Sequence, residues 1–449
     1  MSAVRDLAGV ARSVAERAER GEDVDVMVST GRSTIVRVHG GEVESFTSAE
    51  SFAIGIRVIS DHRQGFAAAG SIDPDVIAET LSEARDNVRF GERDDCFGLA
   101  EPDGVAAVEH DHWDDALVSM SADEKIERAR ALEARALAAD PRVTGVRTAT
   151  WSDVSGETAY ATSRGLAVSE RGASCSVGLQ VLAHDGTEPQ TGAAGDAARR
   201  SADLDDARIV DRAVERATRL FGATKPSSCR TTIVLEPRLA MTLLGIFAGM
   251  VDGESVLKGR SPFADRSGET VASPLLTLLD DPTDRRSIAA SSFDGEGLAC
   301  RPNPLLDGGV LGPFLQNSYT ARRTATRSTA SALRSARSLP GVGAQVLIVQ
   351  PGTTPVDELI AGLDDGVFVT SLQGLHSGVN PVSGDFSVGA DGLMIAGGSI
   401  GRPVREFTLA STIQRMLAQV LAVGDDLEWL PSGDASPTLA IGDVALSGS

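Results

Sequence analysis

Twice within residues 1–225 the sequence passes through one order of patterns: a stretch of helical period, a set of short β-branched runs, then a second helical stretch. In the first pass Val4, Leu7, Ala8, Val10, Ala11, Val14, Ala15 and Ala18 recur at three- and four-residue spacing, the mark of a helix with one buried face. After Gly21 come strand-like runs at 24–28, 34–38, 43–46, 52–59 and 65–69, with Gly40 and Gly41 as a hairpin turn. Asp73 and Pro74 then predict a helix to about Val88, with Asp as N-cap and Pro in the first turn. In the second pass Ser121, with Glu124 three residues on, opens a helix to Ala139. Strands follow near 143–151, 157–162, 166–170 and 174–183, then a helix from about Leu204 to Phe221. The passes share element order and not residues. They predict an α+β domain over 1–225, in units of about 1–100 and 101–225, with helices on one face of an antiparallel sheet.

A single core stops growing near ~250–300 residues, so a chain of 449 needs a second domain. The polar breaker Lys225-Pro226-Ser227-Ser228 predicts the boundary. Residues 226–449 read as a β-rich domain, with helices at 239–251 and 409–420 and turns at Asp307-Gly308-Gly309 and Ala396-Gly397-Gly398.

The net charge of −21 repels phosphate and argues against a nucleic-acid partner. One basic stretch, Arg322, Arg323, Arg327, Arg334 and Arg337, reads as a solvated loop or a patch that pairs with acidic surface, with contact to a partner as the alternative. The first 20 residues lack the apolar core of a signal peptide, and no stretch reaches the ~18 apolar residues of a membrane span. The expectation is a cytoplasmic protein without a membrane partner. Cys96, Cys175, Cys229 and Cys300 are far apart and read as reduced thiols.

A zinc hydrolase would show paired histidines and a glutamate at helical spacing, and none of the six histidines forms such a pair. His110-Asp111-His112 is their one cluster and reads as a surface turn. Ser255 and Lys258 have the SxxK spacing of a serine hydrolase, but no KTG partner exists, the other lysines being Lys125 and Lys225.

The stretch PGTTPVDELIAGLDDGVFVTSLQGLHSGVNPVSGDFSVGADG, followed by IGRPVREFTLA, exposes backbone and small side chains between short apolar runs. It resembles the C-terminal signature of the TldD/PmbA family, with its PGxxxxxELI turn, HSGVNPxSGDFSxGAxG loop and PVxExT strand. Weaker likeness extends over GEVESFTSAESFAIGIRVI, so the resemblance spans most of the chain. In the catalytic branch of that family a helix carries HExxxH after a Leu-Leu pair, and a late cysteine completes a zinc site. Here Leu243-Leu244 is followed by Gly245, Ile246 and, five residues after Gly245, Met250, and no cysteine follows Cys300. Glycine offers no ligand, isoleucine no base, and a thioether is a poor partner for zinc. The pattern is similar to the TldE (PmbA) branch. Where relatives often show STGNA, this chain has Ser328-Thr329-Ala330-Ser331-Ala332, which puts a glycine-dependent turn in question.

The resemblance implies a subunit without catalytic residues, cofactor or metal of its own, paired with a TldD-type catalytic subunit that holds zinc and cleaves linear or unfolded peptides, including leader peptides. His376, Ser377, Asn380, Ser383, Asp385 and Ser387 are the candidate substrate or interface residues, on a loop expected to receive substrate by strand addition. The rival readings are a hydrolase using Ser255 and Lys258, and a homodimeric scaffold or binding protein.

Overall fold

The computed structural model describes residues 6–449; Val4 of the first helical pattern lies outside them. Helix α1 (Leu7–Ala15) starts where the Asp6 carboxylate accepts the Gly9 amide at 2.8 Å. The strand-like runs do not remain separate. They fuse into long strands: β1 (Glu22–His39), β2 (Glu42–Ser60), β4 (Val143–Thr162) and β5 (Ala167–His184), with shorter β3 (Arg63–Ala69) and β6 (Pro189–Ala198). The polar gaps stay extended because β1 is paired on both sides, to β2 through Gly31↔Ser51 and to β4 through Gly31↔Gly156. That pairing also joins the two expected units into one six-stranded antiparallel sheet of order β3-β2-β1-β4-β5-β6.

Helices cover one face of this sheet. Helices α1 and α2 (Pro74–Val88) bury Leu7, Val14, Ile77 and Leu81 against Val24, Val26, Ile54 and Ile56. After the short α3 (Asp115–Ser119), helices α4 (Ala122–Ala139) and α5 (Asp206–Thr218) do the same over β4 to β6, around Leu132, Trp151, Val177 and Ile209. The capping box of α4 is present as expected, whereas Asp73 stands at the N-cap of α2 without a side-chain cap bond. Both halves need a glycine where helix meets sheet. A Cβ on Gly65 would come within 2.1 Å of the Ala84 carbonyl oxygen, and one on Gly192 within 2.1 Å of that of Ala213. The Gly40-Gly41 turn, both φ positive, is held by α4: each amide donates to a Glu133 carboxylate oxygen at 2.7 Å.

Past residue 225 a barrel-like sheet forms. Strand β7 (Cys229–Leu235) runs parallel to Asp365–Gln373 and antiparallel to Leu439–Ser447. Asp385–Ala396 and Ser399–Thr412 extend the sheet, and Ser399–Thr412 pairs back onto Leu439–Ser447 to close the ring. Helix α6 (Pro237–Met250) packs into its core. A second six-stranded sheet of short strands, among them Leu278–Asp280, Leu347–Val349 and Glu428–Trp429, lies beside it. The helix expected over 409–420 is only Ile413–Ala418, because residues 409–412 complete a barrel strand in which Leu409 faces Val388 and Leu446. The α+β reading with a β-rich C-terminal half holds. Among the described residues no helix is long and apolar enough to cross a membrane.

The uncovered face of the N-terminal sheet meets the C-terminal half along a polar seam. The side chain of Arg334 is fully buried and bonds Asp25 at 2.7 Å, while Arg57 binds the same carboxylate from β2. Burial alone would raise the Asp25 carboxyl, but the charges of Arg334 and Arg57 outweigh it and hold it below its usual range. Glu296, 4.0 Å from Arg57, accepts the amide and hydroxyl of Ser318. The basic stretch is therefore not one solvated loop. Arg322 donates to the carbonyls of Cys96, Gly98 and Leu99, and Arg323 pairs with Asp94 at 3.4 Å, so these side chains tie the halves together. The expected difficulty at the STGNA-like run resolves in the backbone. Ala330 itself takes φ 55°, so the left-handed turn persists without glycine.

Candidate functional site

Helix α6 starts with Pro237 in its first turn and is apolar on nearly every side. Leu243, Leu244, Phe247 and Met250 are buried in the barrel core and Ile246 packs partly against it. Gly245 and Gly249, one turn apart, leave a bare strip on the exposed face, and a Cβ on either would meet nothing within 4 Å. At ~100° per residue Met250 points away from Gly245 and into the core. The three positions where the resemblance places zinc chemistry thus hold a solvent-facing backbone, a half-buried aliphatic side chain and a fully buried thioether. That donor set does not fit a zinc ion. Among the described residues no group of three or more His, Cys, Asp or Glu side chains could hold a metal.

The SxxK pair does not assemble. Ser255 donates to the Asp252 carboxylate at 2.8 Å and lies 3.0 Å from the Gly249 carbonyl oxygen, whereas Lys258 pairs with Glu254. Both partners belong to the cap and surface of a short helix, Gly253–Leu257.

The signature loop follows the barrel strand Asp365–Gln373 and turns at Gly374 (φ 74°) into the single turn Leu375–Gly378. Here Ser377 closes onto the Gly374 carbonyl at 3.2 Å. The Asn380 side chain accepts the amides of Val382 and Ser383, and Ser383 donates to Asp385 at 2.7 Å. Asn380, Ser383 and Asp385 therefore form one knot at the rim of the barrel, while His376 and Ser387 are exposed outside it. Strand addition has no room along Gly389–Ala396, which is paired to neighbours on both sides, and the Val379↔Phe386 bridge takes part of the remaining edge.

A further site was barely legible in the sequence. Between the two halves lies a crevice of about 1260 Å³, walled by the segment around His110 and His112, the end of β6 with Arg199 and Arg200, and Arg285, Arg286 and Trp429 from the C-terminal half. His110-Asp111-His112 is not the surface turn its spacing suggests. His112 is only 7% exposed: its backbone bridges to Gly172, and the Ala173 amide donates to its carbonyl at 2.8 Å. The two imidazoles stack with centroids 4.7 Å apart. Burial, reinforced by the Arg199 charge and opposed by Glu170, pushes His112 down to about 4, so it is neutral at pH 7. Arg199 donates to the carbonyls of Ser287 and Ile288 at 3.1 and 2.9 Å, and Glu170 accepts from Ser291 and Ser292. The one sequence signal for this site was the histidine pair.

Models of the PmbA/TldA metallopeptidase match three consecutive parts of the chain: domain 1 over residues 24–88, the central domain over 115–221 and the C-terminal domain over 228–448. The metalloprotease PmbA of Escherichia coli O157:H7 is 28% identical over 413 residues, covering 91% of this chain and 88% of that one. The crystal structure of a proposed modulator of a DNA gyrase from Thermotoga maritima superposes with a TM-score of 0.88 at 25% identity, over 95% of this chain and 96% of the other. That of TldE from Thermococcus kodakarensis has the same fold, with a TM-score of 0.88 at 24% identity over 95% of this chain and 97% of the other.

Proposed function

Because the chain belongs to the PmbA/TldD metallopeptidase family, we propose that it is the subunit of a heteromeric cytoplasmic peptidase that carries no zinc and works with a TldD-type catalytic partner on linear or unfolded peptides. One observation carries the reading: helix α6 keeps its place in the barrel while Gly245, Ile246 and Met250 supply neither imidazole nor carboxylate. A chain that had lost its fold along with its ligands would suggest decay; this one retains the frame around an empty chemistry. In the assembly the bare strip at Gly245 and Gly249 and the knotted loop with His376 and Asp385 wall the space where the partner cleaves. This chain positions substrate and contributes no base or metal ligand.

The test has two readings. Elemental analysis of the purified chain, after mild chelation and dialysis, is expected to show no stoichiometric zinc, and one zinc per chain would end the proposal. Mixed with a TldD-type partner, the chain should be required for cleavage of an unfolded peptide. A partner that cleaves equally fast alone would remove this chain from the reaction.

A further inference from the structure

We propose that the crevice between the two halves binds a short linear peptide with both termini free, a site separate from helix α6 and the signature loop. The ligand class rests on the peptidase reading above; the site itself rests on size and charge. At about 1260 Å³ the crevice exceeds the ~300–1,000 Å³ usual for small-molecule pockets and has the capacity for several residues of extended chain.

Its charges fall into two groups. Arg208, Arg212 and Arg286 are neutralised by Asp196, Glu428 and Asp284. Among the described residues Arg199, Arg200 and Arg285 have no carboxylate within ion-pair distance, and the carboxylates of Glu109, Asp111, Asp203 and Asp426 have no cation within that distance, although all seven line the same space; of these Asp426 is already engaged by the amide and hydroxyl of Thr438. Unpaired charges of both signs, with no excess of cations, do not favour a polyphosphate. They suit a ligand that carries one charge of each sign, such as a peptide with a free ammonium and a free carboxylate. The remaining wall supplies uncharged polar groups for a backbone amide. His112 is neutral, and the Nε2 atom of its stacked neighbour His110 is buried with no hydrogen-bond partner. An orphaned buried nitrogen costs stability unless something reaches it, and a peptide N–H or C=O can do so.

Trp429 lines the crevice beneath Arg286, and Trp113 lines the adjoining recess, while the third tryptophan, Trp151, is fully buried under α4 and α5. Intrinsic fluorescence therefore reports on this site. The experiment titrates the full chain, without partner, with tetraalanine bearing free termini, and then with its N-acetylated, C-amidated and doubly blocked forms; calorimetry gives an independent affinity. Saturable binding is expected, weakened roughly 10-fold by blocking either terminus, the loss of one charge-assisted contact. In Arg200→Ala/Arg285→Ala, both exposed positions, the penalty for C-amidation should vanish while that for N-acetylation remains. Glu109→Gln/Asp111→Asn should show the reverse. No saturable binding by wild type, or equal binding of free and doubly blocked peptide, overturns the proposal, and the wild-type series decides alone if a variant misfolds. Peptide binding that persists where the partner proves active alone would keep the site and discard the heteromer reading. Loss of binding with an obligatory subunit would do the opposite.

Discussion

The core beneath helix α6 and the seam between the two halves of the chain are equally dry and are held by opposite chemistry. Leu244, Phe247 and Met250 in the first, and Asp25 in the second, are all fully buried. Under α6 any apolar group of similar volume would serve, since the gain comes from area removed from water. At the seam each group depends on a named partner, Asp25 on Arg57 and Arg334, Glu296 on Ser318. Apolar burial therefore degrades gradually and without regard to pH, whereas the seam is conditional on protonation state and on every partner being present.

The largest effects come from breaking one member of each region. Leu244→Ala should lose about 3–4 kcal/mol by urea denaturation, independent of pH. Arg334→Ala should lose about 3–5 kcal/mol at pH 7, because it strips a buried carboxylate of one of two cations. The folded-state pKa of Asp25 is depressed, so its contribution is present above the ordinary aspartate range and is lost as pH falls through the folded value. The cost of Arg334→Ala should accordingly shrink on acidification while that of Leu244→Ala stays constant. Equal pH profiles would erase the distinction.

Asp280 sharpens the comparison from the other side. Burial pushes its carboxyl up to about 6, one oxygen accepts the amides of Gln345 and Val346 at 2.8 Å, and the other has no partner. A raised folded-state pKa means the charged form is a burden above about pH 6, relieved as pH falls toward the unfolded value. Asp280→Asn keeps the accepting oxygen and removes the charge, so it should stabilise the chain by about 2 kcal/mol at pH 8 and by far less at pH 4. A destabilised variant at pH 8 would show that the second oxygen is served by something else.

The exposed loop should behave like neither region. If the chain works in the proposed assembly with a TldD-type partner, His376→Ala with Asp385→Ala should lower its peptidase turnover at least ~10-fold, about 1.4 kcal/mol in the transition state, with the thermal midpoint near wild type. Unchanged turnover removes the loop from the functional surface, and a collapsed midpoint makes it structural. The smallest effect is expected at Ala330, where φ 55° suits glycine better than alanine. Ala330→Gly should gain at most about 1 kcal/mol, read from denaturant midpoints. A clear loss would mean that the buried methyl matters more than the backbone.

What was legible in the sequence was local. The Ser121 and Glu124 box, the Gly40-Gly41 hairpin and the apolar circumference of α6 each lie within a few residues, so spacing alone reports them. The fusion of the runs at 24–28 and 34–38 into β1 was not legible, because what keeps 29–33 extended is hydrogen bonding to two other strands. Arg334 looked like a surface charge for the same reason: its partner lies 309 positions away. The crevice draws its wall from residues as distant as Glu109 and Gly433, and only the histidine pair marked it. The six loop residues were found through a resemblance of sequence, whereas the bond that links Ser383 to Asp385 is visible only in three dimensions.

The separation between Asp25 and Arg334 also sets a clock. At ~5–20 residues per second a ribosome needs about 15–60 s to add the 309 residues between them. During that interval the nascent N-terminal sheet has Arg57 beside Asp25 but lacks the second cation, and its uncovered face awaits a surface not yet made. Apolar contacts under α1 and α2 can form at once from neighbouring sequence. The helix-covered face is therefore available early in synthesis, and the polar seam closes last, when the C-terminal half arrives to complete it.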